Sequence, residues 1–392
     1  MALLLAEMKV GMADKVQAQV VDTFIRKSEL LELLPFDDAV SPSGGSTLTY
    51  GYVQKKLPSA TSFRSINEEY SASQATVEKK SVDLKVLGGA FEIDRVIRDA
   101  EGQYNNMALQ LEEKIRSAIG TFHNALINGD SASDAESFDG LDKFLVGQAS
   151  EYNAADYIDL STITNVKANA DEFYEALLKL INSSNADALL VNETAKTKIQ
   201  TVARILGYKT ESEEAFGRIV TSIGEGRVRL IDLENVVTVS GAGTTQDPYV
   251  VNEAPIIGIK TRAVSSDKVY TEVLSTATGA LKVVADTASP TAGEVKVSVA
   301  NAAAKGDEVF VADDYVKLVN DDVTGLTDIY AVHFSVLDGF HGVTLTGNSG
   351  IRSYLPDFSQ PGAVKKGEVE LVACVALKNT KAAGVLRNVK VQ

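Results

Sequence analysis

The chain has three histidines, His123, His333 and His341, and imidazole is the side chain that most readily serves as metal ligand or as acid–base group near neutral pH. None stands at metal-ligand spacing from another His or Cys, and that dispersion points to structural roles. The single cysteine, Cys374, lies among Val369, Leu371, Val372 and Val375, the setting of a buried strand position rather than of a reactive thiol. One cysteine also excludes an intrachain disulfide framework and fits a reducing compartment. Gly241-Ala242-Gly243 opens like a dinucleotide-binding loop, but the third glycine is missing and no helical pattern follows. No phosphate loop and no nucleophile elbow occur. Asp313-Asp314 and Asp321-Asp322 could hold a hard cation such as calcium, although paired acids in turns read first as solvated caps. Tryptophan is absent and aromatics make up 7% of residues, so no stacking platform for bases or sugars is built in. These residues predict no enzyme, no cofactor and no metal.

The remaining chemistry is that of charge. A net charge of −15 and a sequence pI near 4.8 argue against a basic face that grips nucleic acid, but not against enclosing it. Arg64, Glu68 and Glu69 cluster in a polar stretch, 57–75, between two alternating runs. Leu48, Tyr50 and Tyr52 alternate with Thr47, Thr49 and Gly51, and Val82, Leu84 and Val86 with Ser81, Asp83 and Lys85. Paired, the runs make a long ribbon with a broad tip. A lone two-stranded ribbon is marginal in water, so its apolar residues need a surface that it does not carry itself. Arg64, Glu68 and Glu69 are therefore expected to find partners on a neighbouring copy. Lys55, Lys56, Lys79 and Lys80 on the arms read as solvating charges that discourage edge pairing.

The element that must position this ribbon is a helix over 106–128. Met107, Leu111, Ile115, Ile119, Phe122 and Leu126 recur at steps of three and four, which places them on one stripe. At 1.5 Å per residue it spans roughly 35 Å, with Asn128-Gly129 as a left-handed stop. Before the ribbon, 8–34 has helical spacing at Val16, Val20, Phe24 and Leu31, ended by Pro35. After the helix comes the turn Phe138-Asp139-Gly140-Leu141. A second helix is predicted over 171–183, a buried strand over 185–191, and a third helix capped by Asn192 and stopped by Gly207. From 235 to 325 the helical period vanishes and Gly, Thr, Ser, Ala and Val dominate, which predicts a small all-β module. Strand character returns at 328–334, 368–376 and 387–391. No apolar run approaches the ~20 residues of a membrane span, and Met1–Ala6 lacks the basic start of a secretion signal; a cytoplasmic product is expected.

Arm, extended loop, spine helix, α/β lobe and late return strands, in this order, resemble the major capsid protein of tailed double-stranded-DNA bacteriophages. The motifs that look like that family are Leu57-Pro58-Ser59-Ala60, Gly89-Ala90-Phe91-Glu92-Ile93, Phe138-Asp139-Gly140-Leu141, Ala188-Leu189-Leu190-Val191-Asn192 and Ile329-Tyr330-Ala331-Val332. The resemblance implies an α+β capsid fold: an N-terminal arm (1–40), an extended ribbon loop (41–93), a peripheral domain with the spine helix (94–184 and 366–392), an axial domain (185–234 and 326–365) and a β-rich insertion (235–325). It further implies self-assembly into hexamers and pentamers of an icosahedral shell around double-stranded DNA, without sequence-specific binding and without a membrane. A portal is an expected partner. The family's long charged scaffolding segment has no counterpart after Met1, so a separate scaffolding protein is expected too. The expected location is the virion, after synthesis in the host cytoplasm. Two other readings are a protein-cargo compartment of related fold, and a phage surface or tail adhesin suggested by the Thr/Gly-rich module.

Overall fold

The computed structural model describes residues 28–39, 48–57, 59–70, 74, 76–96, 106–153, 157–207, 211–215, 218–223, 228–233, 235–240, 250–263, 272–274, 282–285, 294–297, 308–311, 314–317, 322–345 and 351–392. The arm positions Val16, Val20 and Phe24, the glycines Gly241 and Gly243, and Asp313 and Asp321 lie outside them.

Helix α1 (Glu29–Leu33) opens the described chain, and strand β1 (Phe36–Asp38) follows. The side chain of Ser28 caps α1, its Oγ accepting from Leu31 N–H at 3.1 Å. The ribbon then forms: β2 (Thr49–Leu57) runs antiparallel to β3 (Thr76–Asp83), with Tyr50 opposite Val82 and Gln54 opposite Glu78. At its foot the chain bends at Leu84, whose N–H donates to Leu48 O at 2.7 Å. It continues as β4 (Lys85–Asp94), which pairs with a different sheet. This bend splits the apolar run: Leu84 is buried, Val82 half-buried and Val86 exposed.

The spine helix α2 covers Asn106–Asn128, the predicted span. Ile115, Ile119, Phe122 and Leu126 are buried, whereas Met107 and Leu111 are only half-buried, so the stripe is covered toward its C-terminal end. The predicted left-handed stop is not there; neither Asn128 nor Gly129 has a positive φ. Glycine serves a close crossing instead. Gly140 N–H donates to Gly129 O at 2.8 Å, and a Cβ on Gly129 would stand 2.1 Å from Phe138 O. The Phe138-Asp139-Gly140-Leu141 turn thus locks across the helix end and starts α3 (Leu141–Leu145).

Short strands β5 (Glu151–Tyr152) and β6 (Ile158–Asp159) precede α4 (Ile163–Ser184). This helix begins at Ile163 rather than at the predicted Asp171. Its first turns are rich in Thr and Asn, weak helix formers, yet Thr162 caps it and Val166 and Ala170 are buried, so packing overrides propensity. Strand β7 (Ala188–Val191) and α5 (Glu193–Leu206) follow; Asn192 Oδ1 accepts from Ala195 N–H at 2.8 Å and Gly207, at φ 79°, ends the helix. Strands β8 (Glu211–Ala215), β9 (Arg218–Ile223) and β10 (Val228–Asp232) come next. The antiparallel pair β11 (Asn235–Ser240) and β12 (Val250–Pro255) precedes β13 (Lys260–Ala263). Then come β14 (Glu272–Leu274), β15 (Lys282–Ala285), β16 (Glu294–Val297), β17 (Glu308–Val311) and β18 (Asp314–Lys317). The chain returns through β19 (Asp322–Val332), β20 (Phe340–Thr344), β21 (Arg352–Tyr354), β22 (Val364–Leu377) and β23 (Ala383–Lys390).

Two sheets organise this α+β fold. The five-stranded sheet orders β1-β20-β22-β21 with β4 also on β22. The nine-stranded sheet orders β5-β23-β19-β7-β10-β9-β8, with β13 on β19 and β6 on β23. Successive strand residues face opposite ways, and the second sheet uses both faces. Leu189, Val191, Leu230, Ile329, Ala331 and Leu386 pack under α4 and α5. Their neighbours Leu190, Ile231, Tyr330, Val332 and Val385 face the core that holds Phe122 and Leu126 of the spine helix. The second sheet is therefore a shared middle layer.

The inserted strands form separate small sheets, β14-β18-β17 and β15-β16. They leave and return at one place, because β13 pairs with β19 with Ala263 opposite Asp322. The composition break at 235 is not the structural break. Ile256 and Ile257 are buried in the spine-helix core, and their carbonyls accept from Asn128 Nδ2 at 2.7 Å and Asn192 Nδ2 at 2.9 Å.

Candidate intersubunit surface

Residues 59–70 form the ribbon tip, and every one of them is exposed. Arg64 donates from Nη1 to its own neighbour Ser65 O at 3.2 Å and to Glu68 O at 3.0 Å, and its guanidinium lies 5.2 Å from the Tyr70 ring centroid. Arg64 and Glu68 thus meet through a backbone carbonyl, while the carboxylates of Glu68 and Glu69 face solvent in an exposed loop turned at Asn67, whose φ is 71°. Reading 57–75 as a polar stretch needs correcting: Phe63 is 106%, Ile66 90% and Tyr70 67% exposed. Their spacing of three and four was the available signal. Leu48, Val53 and Val77 on the arms are also exposed, as are Lys79 and Lys80.

The root of the ribbon is built differently. Tyr52 is buried, and Tyr50 donates its hydroxyl to Asp37 Oδ2 at 2.6 Å. Gln54 Nε2 reaches Leu377 O at 3.5 Å. Lys378 Nζ donates to Val336 O at 2.6 Å, stands 3.8 Å from Asp37 Oδ2 and lies 5.5 Å from the Tyr50 ring centroid. His341, fully buried, packs edge-on to Tyr50 with centroids 5.8 Å apart. Burial and the Asp37 hydrogen bond push the Tyr50 phenol far above its ordinary range. Burial pushes Asp37 up, but the Tyr50 and Asp38 hydrogen bonds and Lys378 outweigh it and hold this carboxyl below the usual value.

The other histidines are structural in the same sense. His123 Nε2 is 2.8 Å from Ser28 Oγ, tying the cap of α1 to the spine helix, and burial pushes its pKa down to about 4. His333 Nδ1 lies 2.8 Å from Asp187 Oδ2. Cys374 sits inside β22, where burial pushes its thiol up to about 12, so no thiolate nucleophile forms near neutral pH.

A buried ionic network escaped the sequence reading. Asp328 on β19 accepts bidentately from Arg262 of β13, at 2.7 and 2.6 Å, and from Arg387 of β23 at 3.1 Å. Arg387 also pairs with Asp142 and with Glu151 Oε1 at 2.8 Å, and Tyr330 donates its hydroxyl to Asp142 at 2.9 Å. Burial pushes the Asp328 carboxyl up, yet Arg262 and Arg387 overcome that and hold it below the usual carboxylate range. A lone charge within an apolar strand, as in Thr327-Asp328-Ile329 or Leu386-Arg387-Asn388, is the signal that could have found it. Among the described residues no group of three His, Cys, Asp or Glu side chains converges as a metal site needs, and no helix is long and apolar enough to cross a membrane.

No family model matches this chain, and no curated protein matches it. Solved structures do. The holo-SrpI encapsulin complex of Synechococcus elongatus is similar at 12% identity and a TM-score of 0.47, over 93% of this chain and 88% of that one. A Mycobacterium phage Bobi structure gives 10% identity and 0.46, covering 92% and 90%. A virus-like particle from Pyrococcus furiosus gives 9% and 0.44, covering 96% and 99%.

Proposed function

We propose that this chain is the subunit of a self-assembling icosahedral shell, made of its own hexamers and pentamers, that encloses double-stranded DNA. One observation supports this most: among the described residues the ribbon is a two-stranded sheet with no third strand, and Leu48, Val53 and Val77 on its arms and Phe63, Ile66 and Tyr70 at its tip lie uncovered in a single copy. Such a surface is stable in water only when another body covers it. A neighbouring copy in a closed lattice supplies that cover at every site at once. Arg64, Glu68 and Glu69 then fix the tip's place by charge, with Phe63, Ile66 and Tyr70 beside them. The strongly acidic balance suits a container that holds DNA without gripping it.

Within this reading the spine helix and the five-stranded sheet make the peripheral domain. The nine-stranded sheet with α4 and α5 makes the axial one. That division follows hydrogen bonding and differs from the expected ranges: 340–344 pairs with the first sheet, and 383–390 with the second. We place the insertion between the paired strands β13 and β19. A scaffolding protein and a portal are the proposed assembly partners, and the virion is the proposed location. In negative stain the purified protein is expected as closed shells or as hexamers and pentamers. Discrete particles would overturn the proposal. Shells that carry protein cargo and no nucleic acid would replace it with the compartment reading.

A further inference from the structure

The root of the ribbon holds a buried group with an unmet requirement. His341 Nδ1 faces Gly339 O at 3.4 Å, while Nε2 has no hydrogen-bond partner among the described residues. A neutral ring with its proton on Nδ1 fits, since only a bare lone pair is then left without a partner. A proton on Nε2 has no acceptor there. The groups facing the ring are Tyr50 from β2, Asp37 from β1 and Lys378 beyond β22, with Cys374 along the same sheet. Tyr50 offers His341 the edge or face of its ring, and its hydroxyl is already committed to Asp37. Asp37 in turn is committed to Tyr50 and lies near Lys378, whose ammonium opposes a second positive charge.

We propose that His341 is a proton-operated latch on the ribbon: neutral, it lets Tyr50 seat between Asp37 and Lys378; protonated, it unseats Tyr50 and frees β2 and β3 at their root. The latch acts at the root, and it holds whether the tip docks on a neighbouring copy or on nothing. Beyond the root contacts of Tyr50, Tyr52 and Gln54, the described chain offers the outer arms little hold: β3 is exposed along Thr76–Ser81 and hydrogen-bonds to no described strand but β2. Opening the root therefore releases the whole ribbon as a unit. The direction follows from linkage. Burial, and then Lys378, lower the affinity of His341 for a proton in the seated state. A solvated His341 in the released state takes a proton at the ordinary value of ~6.5, so falling pH below that point favours release.

The test is hydrogen–deuterium exchange on the unassembled full chain at pH 7.5 and 5.5, with rates normalised to the intrinsic chemical rate at each pH. Peptides covering 49–57 and 76–83 are expected to exchange roughly fivefold to tenfold faster at the lower pH, while 369–377 in β22 stays unchanged. In His341→Gln, which cannot titrate, the acid-dependent part is expected to vanish. Tyr50→Phe, which loses the Asp37 hydrogen bond, is expected to speed ribbon exchange at both pH values. His123 also titrates, but its effect is read separately in the peptide covering 28–34. Ribbon exchange that does not respond to pH in the wild-type chain overturns the latch, as does a response that persists in His341→Gln. If His341→Gln does not fold, NMR titration of the wild-type His341 ring decides. Ribbon peptides that speed up in step with ring protonation support the latch, and ribbon exchange that ignores it overturns it.

Discussion

The ribbon strands and strand β19 are both long and antiparallel, yet they solve burial in opposite ways. Strand β19 lies between β7 and β23, with Ile329 and Ala331 packed under the helices and Tyr330 and Val332 facing the spine-helix core. Its buried charge, Asp328, is neutralised in place by Arg262 and Arg387. The ribbon has no layer on which to bury Val53, Val77 or the tip, and Arg64 spends its hydrogen bonds on its own loop. One region is complete within the subunit; the other is incomplete until something covers it. Stability should therefore be sensitive to change in the first and indifferent to it in the second.

The largest loss is expected from Asp328→Ala, which takes from Arg262 its bidentate carboxylate and from the buried Arg387 one of its three, the others being Asp142 and Glu151. Breaking a buried pair from one side costs about 3–5 kcal/mol, to be read from urea unfolding of the subunit. A loss below about 1 kcal/mol would mean that Arg262 and Arg387 find other partners and that the network is not what completes this sheet.

Acid comes next. His123 has a folded pKa near 4 against an ordinary 6.5. Below pH 6.5 the unfolded chain takes up a proton that the folded chain refuses, so stability falls as pH drops from 6.5 toward 4, by about 3 kcal/mol in all. Asp328 behaves as a depressed carboxylate: its contribution is present above the unfolded value near 3.9 and is lost only as pH falls further, through its folded pKa. Urea midpoints measured from pH 7 to 3 should decline first through the His123 window. His123→Gln should remove most of that decline and leave the smaller part that His341, lowered in the same direction, contributes.

A smaller effect is expected for the insertion. Replacing 264–321 with a short Gly/Ser linker should leave a folded body whose melting changes by no more than about 1 kcal/mol, since β13 and β19 already pair at its base. Removing 235–325 instead should give insoluble protein, because Ile256, Ile257 and Asp328's partner Arg262 leave with it. Equal solubility of the two deletions would place the boundary elsewhere.

The periodic elements were legible from the chain alone. The stripe from Met107 to Leu126 predicted α2, and Asn192 and Gly207 marked both ends of α5. What was not legible depended on partners distant in sequence. The start of α4 is decided by what Val166 and Ala170 pack against, not by the propensity of its Thr/Asn-rich first turns. Ile256-Ile257 hides within a Gly/Thr-rich stretch, and only the spine helix shows it to be core. Arg387 and Asp328 look like solvated charges until α3, β5 and β13 are folded against them. At the ribbon tip Phe63, Ile66 and Tyr70 are interspersed among serines and charges, and their exposure is a property of the folded subunit that the local pattern does not carry.

The smallest expected effect on the subunit is also the most direct test of the account. Arg64→Glu, Glu68→Lys with Glu69→Lys, and Phe63→Ser with Ile66→Ser all alter side chains that touch only the tip itself or solvent. Two quantities are measured on each variant: the melting temperature of the unassembled subunit and the particle yield on a sucrose gradient. The account predicts unchanged melting in all three and a sharp fall in particles, with the charge variants partly rescued at high salt as screening weakens the mismatched contacts. Lowered melting with a normal particle yield would contradict it, because the ribbon would then be packed on its own subunit.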